Sequence, residues 1–242
     1  MHPVAGQKTT LVGDVVSQHE TQTHRLDTER LFLVPVLSVL LLASAGDLWN
    51  RWHSRDISGT SLTLTAVDQL LRVCFYVLMV SLLLTRRPSK AAAGSRRATW
   101  AAYIGTFTPF LLLLNVGPTV GSEQLTAASI VVITAGLGFS VYSLTYLGRS
   151  FGVVPRAREL VRTGPYRHVR HPLYLGEFVS FAGAVVAVLG PFSVALFLFF
   201  VMVQAYRATQ EEGVLKEAFA EYESYMAQAG RFVPRAATSI GA

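Results

Sequence analysis

Of the 242 residues, 51% are hydrophobic and only 15% charged, and the mean hydropathy is +0.41. A water-soluble domain is closer to a quarter charged, so this composition excludes an ordinary soluble globule and indicates a membrane protein. The net charge of +6 does not indicate nucleic acid, because the arginines flank apolar runs in the pattern of membrane-flanking loops. Cys74 is the sole cysteine, which excludes an intrachain disulfide and a cysteine-cluster metal site.

Residues 1–29 are polar, rich in Thr, Gln and His, and lack the apolar core of a signal peptide. They read as a flexible cytoplasmic tail. Residues 30–242 read as one membrane domain, since no repeat or long linker divides them. A spanning helix needs about 20 apolar residues. Six segments qualify: 31–47, 64–85, 99–117, 124–147, 172–189 and 191–209, the first being the shortest. The last two are joined by Gly190-Pro191 and form a tight helical hairpin. The fold class is therefore all-α, a polytopic bundle of five to six transmembrane helices. Within the second span, Asp68 and Arg72 stand at i,i+4 spacing, where a pair facing the bundle avoids the cost of a lone charge in lipid. After the sixth span the helix is expected to run on through Ala208–Ala227. Val214, Leu215, Ala218, Phe219, Tyr222, Tyr225 and Met226 form its apolar stripe, and Gly213 is a bend point.

Chemistry concentrates where the fifth span begins. Residues 158–176 hold four arginines, His168, His171, Tyr166 and Tyr174. Gly164-Pro165 marks a turn, and Pro172 suits the first position of a new helix, where its missing N–H costs nothing. His171 and Tyr174 share a face of that helix. A second cluster, Arg207, Glu211 and Glu212, follows the hairpin, which brings both clusters to the same end of adjacent helices. The bland alternatives are an interfacial belt of Tyr, Arg and His for the first cluster and a solvated ion pair for the second. Together the clusters describe a pocket with rings, an imidazole, a guanidinium and a carboxylate. The histidines show no ligand spacing with carboxylates, so no metal site is indicated.

The run Gly-Pro-Tyr-Arg-x-Val-Arg-His-Pro-x-Tyr-x-Gly, the hairpin, Arg207-x-x-x-Glu211-Glu212-x-x-Leu215, a Tyr-x-x-Tyr and a closing Arg-x-x-Pro resemble the isoprenylcysteine carboxyl methyltransferase and phospholipid methyltransferase superfamily. The resemblance covers residues 148–234. It implies an integral-membrane enzyme that moves a methyl group from S-adenosylmethionine to a lipophilic or small acceptor: a carboxylate, an amine or a thiol. By motif position, it implies that Leu160, Val161, Tyr166, His171, Pro172, Leu173, Tyr174 and Glu211 bind the cofactor and that Arg207 positions the acceptor. Arg158 and Glu159 fall at the edge of the same stretch. Two positions depart from the family pattern: Phe219-Ala-Glu-Tyr222 is one residue shorter than usual, and Glu177 stands where an apolar or aromatic residue is expected.

The alternatives are an NADPH-dependent enzyme like the membrane sterol reductases, which typically carry Asn where this chain has Leu173, and a non-catalytic lipid-binding protein that kept the fold. The partners expected are membrane lipids and the acceptor. The acceptor's identity and the oligomeric state stay open.

Eighteen of the 21 lysines and arginines fall on one side of a six-span arrangement. By the positive-inside rule that side is cytoplasmic and holds both termini and the 158–176 stretch, in what is expected to be the plasma (inner) membrane. Reporter fusions after Arg97 and Arg235 should read cytoplasmic and one after Gly121 external. An external reading after Arg97 would refute this topology.

Overall fold

The computed structural model describes residues 28–53, 60–92, 95–114 and 122–235. The elements are α1 (Thr28–His53), α2 (Thr60–Thr85), β1 (Ala91–Ala92), α3 (Arg96–Phe107) with a 3₁₀ continuation (Thr108–Leu114), α4 (Glu123–Leu147), β2 (Arg156–Ala157), a 3₁₀ turn (Gly164–Arg167), α5 (Pro172–Ala187), α6 (Pro191–Ala218) and α7 (Tyr222–Gln228). β1 and β2 form a two-residue antiparallel pairing. The rest is a helical bundle in which α1 packs on α2, α2 on α4, α4 on α5, α5 on α6, and α6 on α3.

Four of the described helices, α1, α2, α4 and α6, are long and apolar enough to cross a bilayer. Leu42, Trp49, Leu70, Trp100, Leu198 and Met202 lie exposed on the outside of the bundle. Large apolar side chains face outward because lipid, not water, is the solvent, and the chain is an integral membrane protein.

The sequence-expected spans map unevenly onto these helices. Residues 31–47 lie within α1, which begins at Thr28, so the last two residues of the segment read as a tail are helical; residues 1–27 lie outside the described residues. Residues 64–85 and 124–147 match α2 and α4. The third segment, 99–117, is not one continuous α-helix. α3 stops at Phe107 and tightens to 3₁₀ geometry, because Pro109 offers no N–H and crowds the preceding turn. The α and 3₁₀ pieces together still reach about 32 Å, comparable with the roughly 30 Å hydrocarbon core. α5 is only 16 residues long. α6, at 28 residues, is about 42 Å long and outruns the bilayer by two turns. The expected helix through Ala227 is interrupted: it continues unbroken past Gly213 and ends at Ala218, and α7 starts anew at Tyr222. Phe219, Tyr222 and Tyr225 are buried with Ala157 and Val214, so core packing turns the chain there.

The α4–α5 contact is built from small residues that let two backbones touch, as membrane helices require where dispersion replaces the hydrophobic effect. A Cβ on Gly136 would lie 2.3 Å from the Ser180 nitrogen, and one on Gly176 2.8 Å from the Gly136 oxygen. Ser129 Oγ donates across the same seam to the Gly183 carbonyl at 2.9 Å. Backbone cannot step aside as a flexible side chain can. Gly136→Val should therefore destabilise the protein by about 3 kcal/mol, read as a lowered melting temperature in detergent. Gly46→Ala, with nothing within 4 Å of the added carbon, should be neutral.

Candidate functional site

The loop from Phe151 to His171 is held over the end of the bundle by buried charge. Glu29, in the first turn of α1, is fully buried and pairs with Arg86 at 2.7 Å. Its other oxygen accepts from the Val153 and Val154 N–H groups at 2.7 and 3.2 Å. The Val153 carbonyl in turn accepts from Arg207 Nη2 at 3.0 Å.

Further along, Glu212 gathers three partners. Arg170 Nε donates to it at 3.0 Å, His171 Nε2 lies 3.2 Å away, and Arg231 grips both carboxylate oxygens at 3.1 and 2.5 Å. The Arg231 guanidinium is held above its ordinary pKa chiefly by that bond to Glu212. The backbone of residues 229–231 completes the clasp: Arg170 N–H donates to the Gly230 carbonyl at 2.8 Å, and His171 N–H to that of Arg231 at 3.0 Å. Phe232 packs on the rings of His171 and Phe178. The closing Arg-x-x-Pro motif thus locks the His171 stretch to α6.

Within this frame lies a cavity of about 490 Å³. At its loop end are Leu160, Val161, Tyr166, His171, Tyr174 and Glu211. At its inner end are apolar groups, among them Met79, Phe110, Ile133, Phe181 and Phe200. Leu173 and Arg207 also line it, as do Arg158 and Glu159. Of the residues singled out from the sequence, Pro172 is not on the wall; it is fully buried as the first residue of α5. His168 is exposed on the far side of its loop.

The rings are stacked. His171 and Tyr174 lie nearly parallel with centroids 5.4 Å apart, and the Arg207 guanidinium sits 5.0 Å over Tyr174. The Tyr174 hydroxyl donates to Glu211, whose other oxygen lies 3.7 Å from His171 Nδ1. Burial, reinforced by nearby Glu211, pushes the Tyr166 hydroxyl well above its ordinary pKa, so it stays protonated. Burial also pushes Tyr225 up to about 12, and its hydroxyl donates to the Tyr166 carbonyl at 2.6 Å.

Arg207 is 4% exposed. Its Nη1 donates to Gln204 Oε1 at 2.6 Å, its Nη2 is taken by Val153, and its Nε is buried without a hydrogen-bond partner. Gln204, fully buried, donates its own amide to Glu177, which lines the cavity. Asp68 and Arg72 pair at 2.5 Å, as their spacing predicts, and Arg72 reaches the cavity wall. Sequence reasoning missed Glu29; it singled out Glu212 and Glu177 and placed Gln204 on the face of Arg207, but not the contacts that make Glu212 a hub and join Glu177 through Gln204 to Arg207. The available signals were an acid inside an apolar helix at 177 and a Gln on the face shared with Arg207.

A family model described as phospholipid methyltransferase matches residues 124–222. The chain is 30% identical over 118 residues to the nickel-cobalt-cadmium resistance protein NccN of Alcaligenes xylosoxydans xylosoxydans, a match covering 48% of this chain and 52% of that relative. The match thus spans about half the length of that protein. The family match does not favour the sterol-reductase alternative.

Removing Glu212 leaves arginines and an imidazole gathered without their anion. Glu212→Ala should cost about 3–5 kcal/mol, seen as loss of folded protein on thermal ramps. Glu159→Ala, which breaks only an exposed pair with Arg87, should cost under about 1 kcal/mol.

Proposed function

We propose, from the match of residues 124–222 to the phospholipid methyltransferase family, that this chain is a membrane methyltransferase that takes its methyl group from S-adenosylmethionine. It delivers that group to a lipophilic or small acceptor whose nucleophile is a carboxylate, an amine or a thiol, in the manner of the isoprenylcysteine carboxyl methyltransferases. The cavity mouth and both termini face the cytoplasm from the plasma (inner) membrane.

The observation that carries this reading is the division of one cavity. Its loop end offers rings, an imidazole and a carboxylate, its inner wall is mainly apolar with Arg72, paired to Asp68, and a few hydroxyls among it, and Arg207 lines the same cavity. The residues present fit the donor. A volume of about 490 Å³ lies within the usual range for a small-molecule site. Leu160, Val161 and Tyr166 offer an apolar slot with a protonated hydroxyl for the adenosyl group. Tyr174 and His171 present ring faces to a cation, and Glu211 offers a carboxylate to an ammonium or to ribose hydroxyls. Pro172 and Leu173 set the start of α5 and so the aim of these rings. When bound, the donor supplies an electrophilic methyl on a sulfonium.

The remaining work is positioning, the main source of rate in an in-line displacement. Arg207 is fixed by Gln204, Val153 and the Tyr174 ring, which leaves Nε and the guanidinium face to meet the acceptor. The apolar inner end takes the acceptor's tail and excludes water from the reacting atoms.

Titration calorimetry on detergent-solubilised protein should show S-adenosylmethionine binding. Glu211→Gln should weaken it about tenfold or more, the value of a hydrogen bond to a charged group. Arg207→Lys should keep affinity within a few-fold but lower methyl transfer by roughly 10²-fold, since Lys cannot reproduce the planar fork. Binding of NADPH in place of S-adenosylmethionine would overturn the proposal.

A further inference from the structure

Glu177 is an ionisable group inside a 16-residue apolar helix, a placement that is costly in a membrane unless function or a partner retains it. It lies five residues, about 8 Å of helix, beyond Pro172, at the boundary between the polar mouth and the apolar interior. It lines the cavity and accepts from the Gln204 amide, and Gln204 accepts from Arg207 Nη1. One N–H on each Nη of Arg207 is committed within the protein, to Gln204 and to the Val153 carbonyl, while Nε has no hydrogen-bond partner. The charged and titratable groups facing Glu177 are Arg207 and Glu211 of α6, Tyr174 of its own helix and Tyr166 of the loop. Two carboxylates thus share this end of the cavity with one guanidinium.

Resting on the methyltransferase reading, we propose that Glu177 is the proton acceptor for the methyl acceptor, and that the acceptor is a membrane-borne nucleophile carrying a proton, an amine or a thiol, rather than a carboxylate. An ionised carboxylate has no proton to lose and meets like charge at Glu177. An ammonium or thiol must shed a proton before its lone pair can attack. Glu177 takes that proton. The new N–C or S–C bond forms as the sulfonium–methyl bond breaks, its electron pair remains on sulfur, and a neutral thioether leaves. Gln204 holds the Glu177 carboxylate toward the cavity and couples it to Arg207, so proton acceptor and positioning group move as one unit.

The test uses the full chain in detergent, with two separate readouts. Without donor, the protein should bind dodecylammonium more tightly than dodecanoate, and Glu177→Gln should reduce that preference about tenfold. Equal or tighter dodecanoate binding by the wild type would overturn the inference. With donor, methyl transfer is followed by mass spectrometry for a long-chain amine, a long-chain thiol and an S-prenyl cysteine carboxylate. Glu177→Gln keeps side-chain volume and can still accept from Gln204. It should lower transfer to the amine or thiol by ~10²-fold at pH 7. Its residual rate should climb about tenfold per pH unit toward the acceptor's own pKa, near 8.5 for a thiol or 10.4 for an amine. Glu177→Asp, which keeps a carboxylate, should retain the wild-type pH profile at reduced rate. A Gln variant whose loss is the same at every pH would make Glu177 a mere counter-ion of Arg207 and refute the proposal. Transfer to the carboxylate alone, or to none of the three, would also refute it, while intact S-adenosylmethionine binding would leave the methyltransferase reading standing.

Discussion

A guanidinium buried at membrane depth has to be satisfied by the protein itself, and the site is built outward from that requirement. Arg207 cannot rely on water, so Gln204 and the Val153 carbonyl accept its protons and the Tyr174 ring lies beneath it. Each partner then needs support. Val153 is pinned by Glu29 at the start of α1, which is neutralised by Arg86 at the end of α2. Tyr174 is held by Glu211 and by stacking on His171, and His171 by Glu212. The chain of contacts ties the first described helix to the last turns of α6, although more than 170 residues separate Glu29 from Arg207. A lost link in low dielectric leaves a charge without its partner, so the network holds or fails as a unit.

The C-terminal half was legible because its motifs are local. Proline at the start of α5, the i,i+3 pairing of His171 with Tyr174 and the i,i+4 pairing of Arg207 with Glu211 place side chains by helix geometry alone. The Gly190-Pro191 hairpin then brings the two clusters together, and the structure puts Leu160, Val161, Tyr166, His171, Leu173, Tyr174, Arg207 and Glu211 on one cavity. Asp68–Arg72 was equally plain from its spacing.

What could not be read was contact across long separations. Nothing in the polar run before residue 30 marks Glu29 as the acid that caps a loop more than 120 residues later. Glu212, next to Glu211, is indistinguishable from it in sequence, yet helix geometry turns it about 100° away, toward Arg170 and Arg231. The uniform helix expected at 99–117 failed on Pro109. The continuous helix expected to Ala227 failed because burying Phe219 and Tyr222 outweighs one more helical turn. At Gly213 the helix is not broken: α6 runs through it and carries Glu212 and Val214 into the core.

The small-residue seam between α4 and α5 serves the site as much as the fold. By letting the two backbones touch at Gly136 and Gly176, it sets α5 deep in the bundle, and α5 carries Tyr174 and Glu177 on its cavity-facing side. The most direct test is an experimental structure of the solubilised protein with S-adenosylhomocysteine. The nucleoside should lie between Leu160, Val161 and Tyr166, with the thioether sulfur over Tyr174 and pointing toward Arg207 and Glu177. Density for the nucleoside outside this cavity, or a sulfur turned toward the loop and away from Arg207, would contradict the assignment of the site.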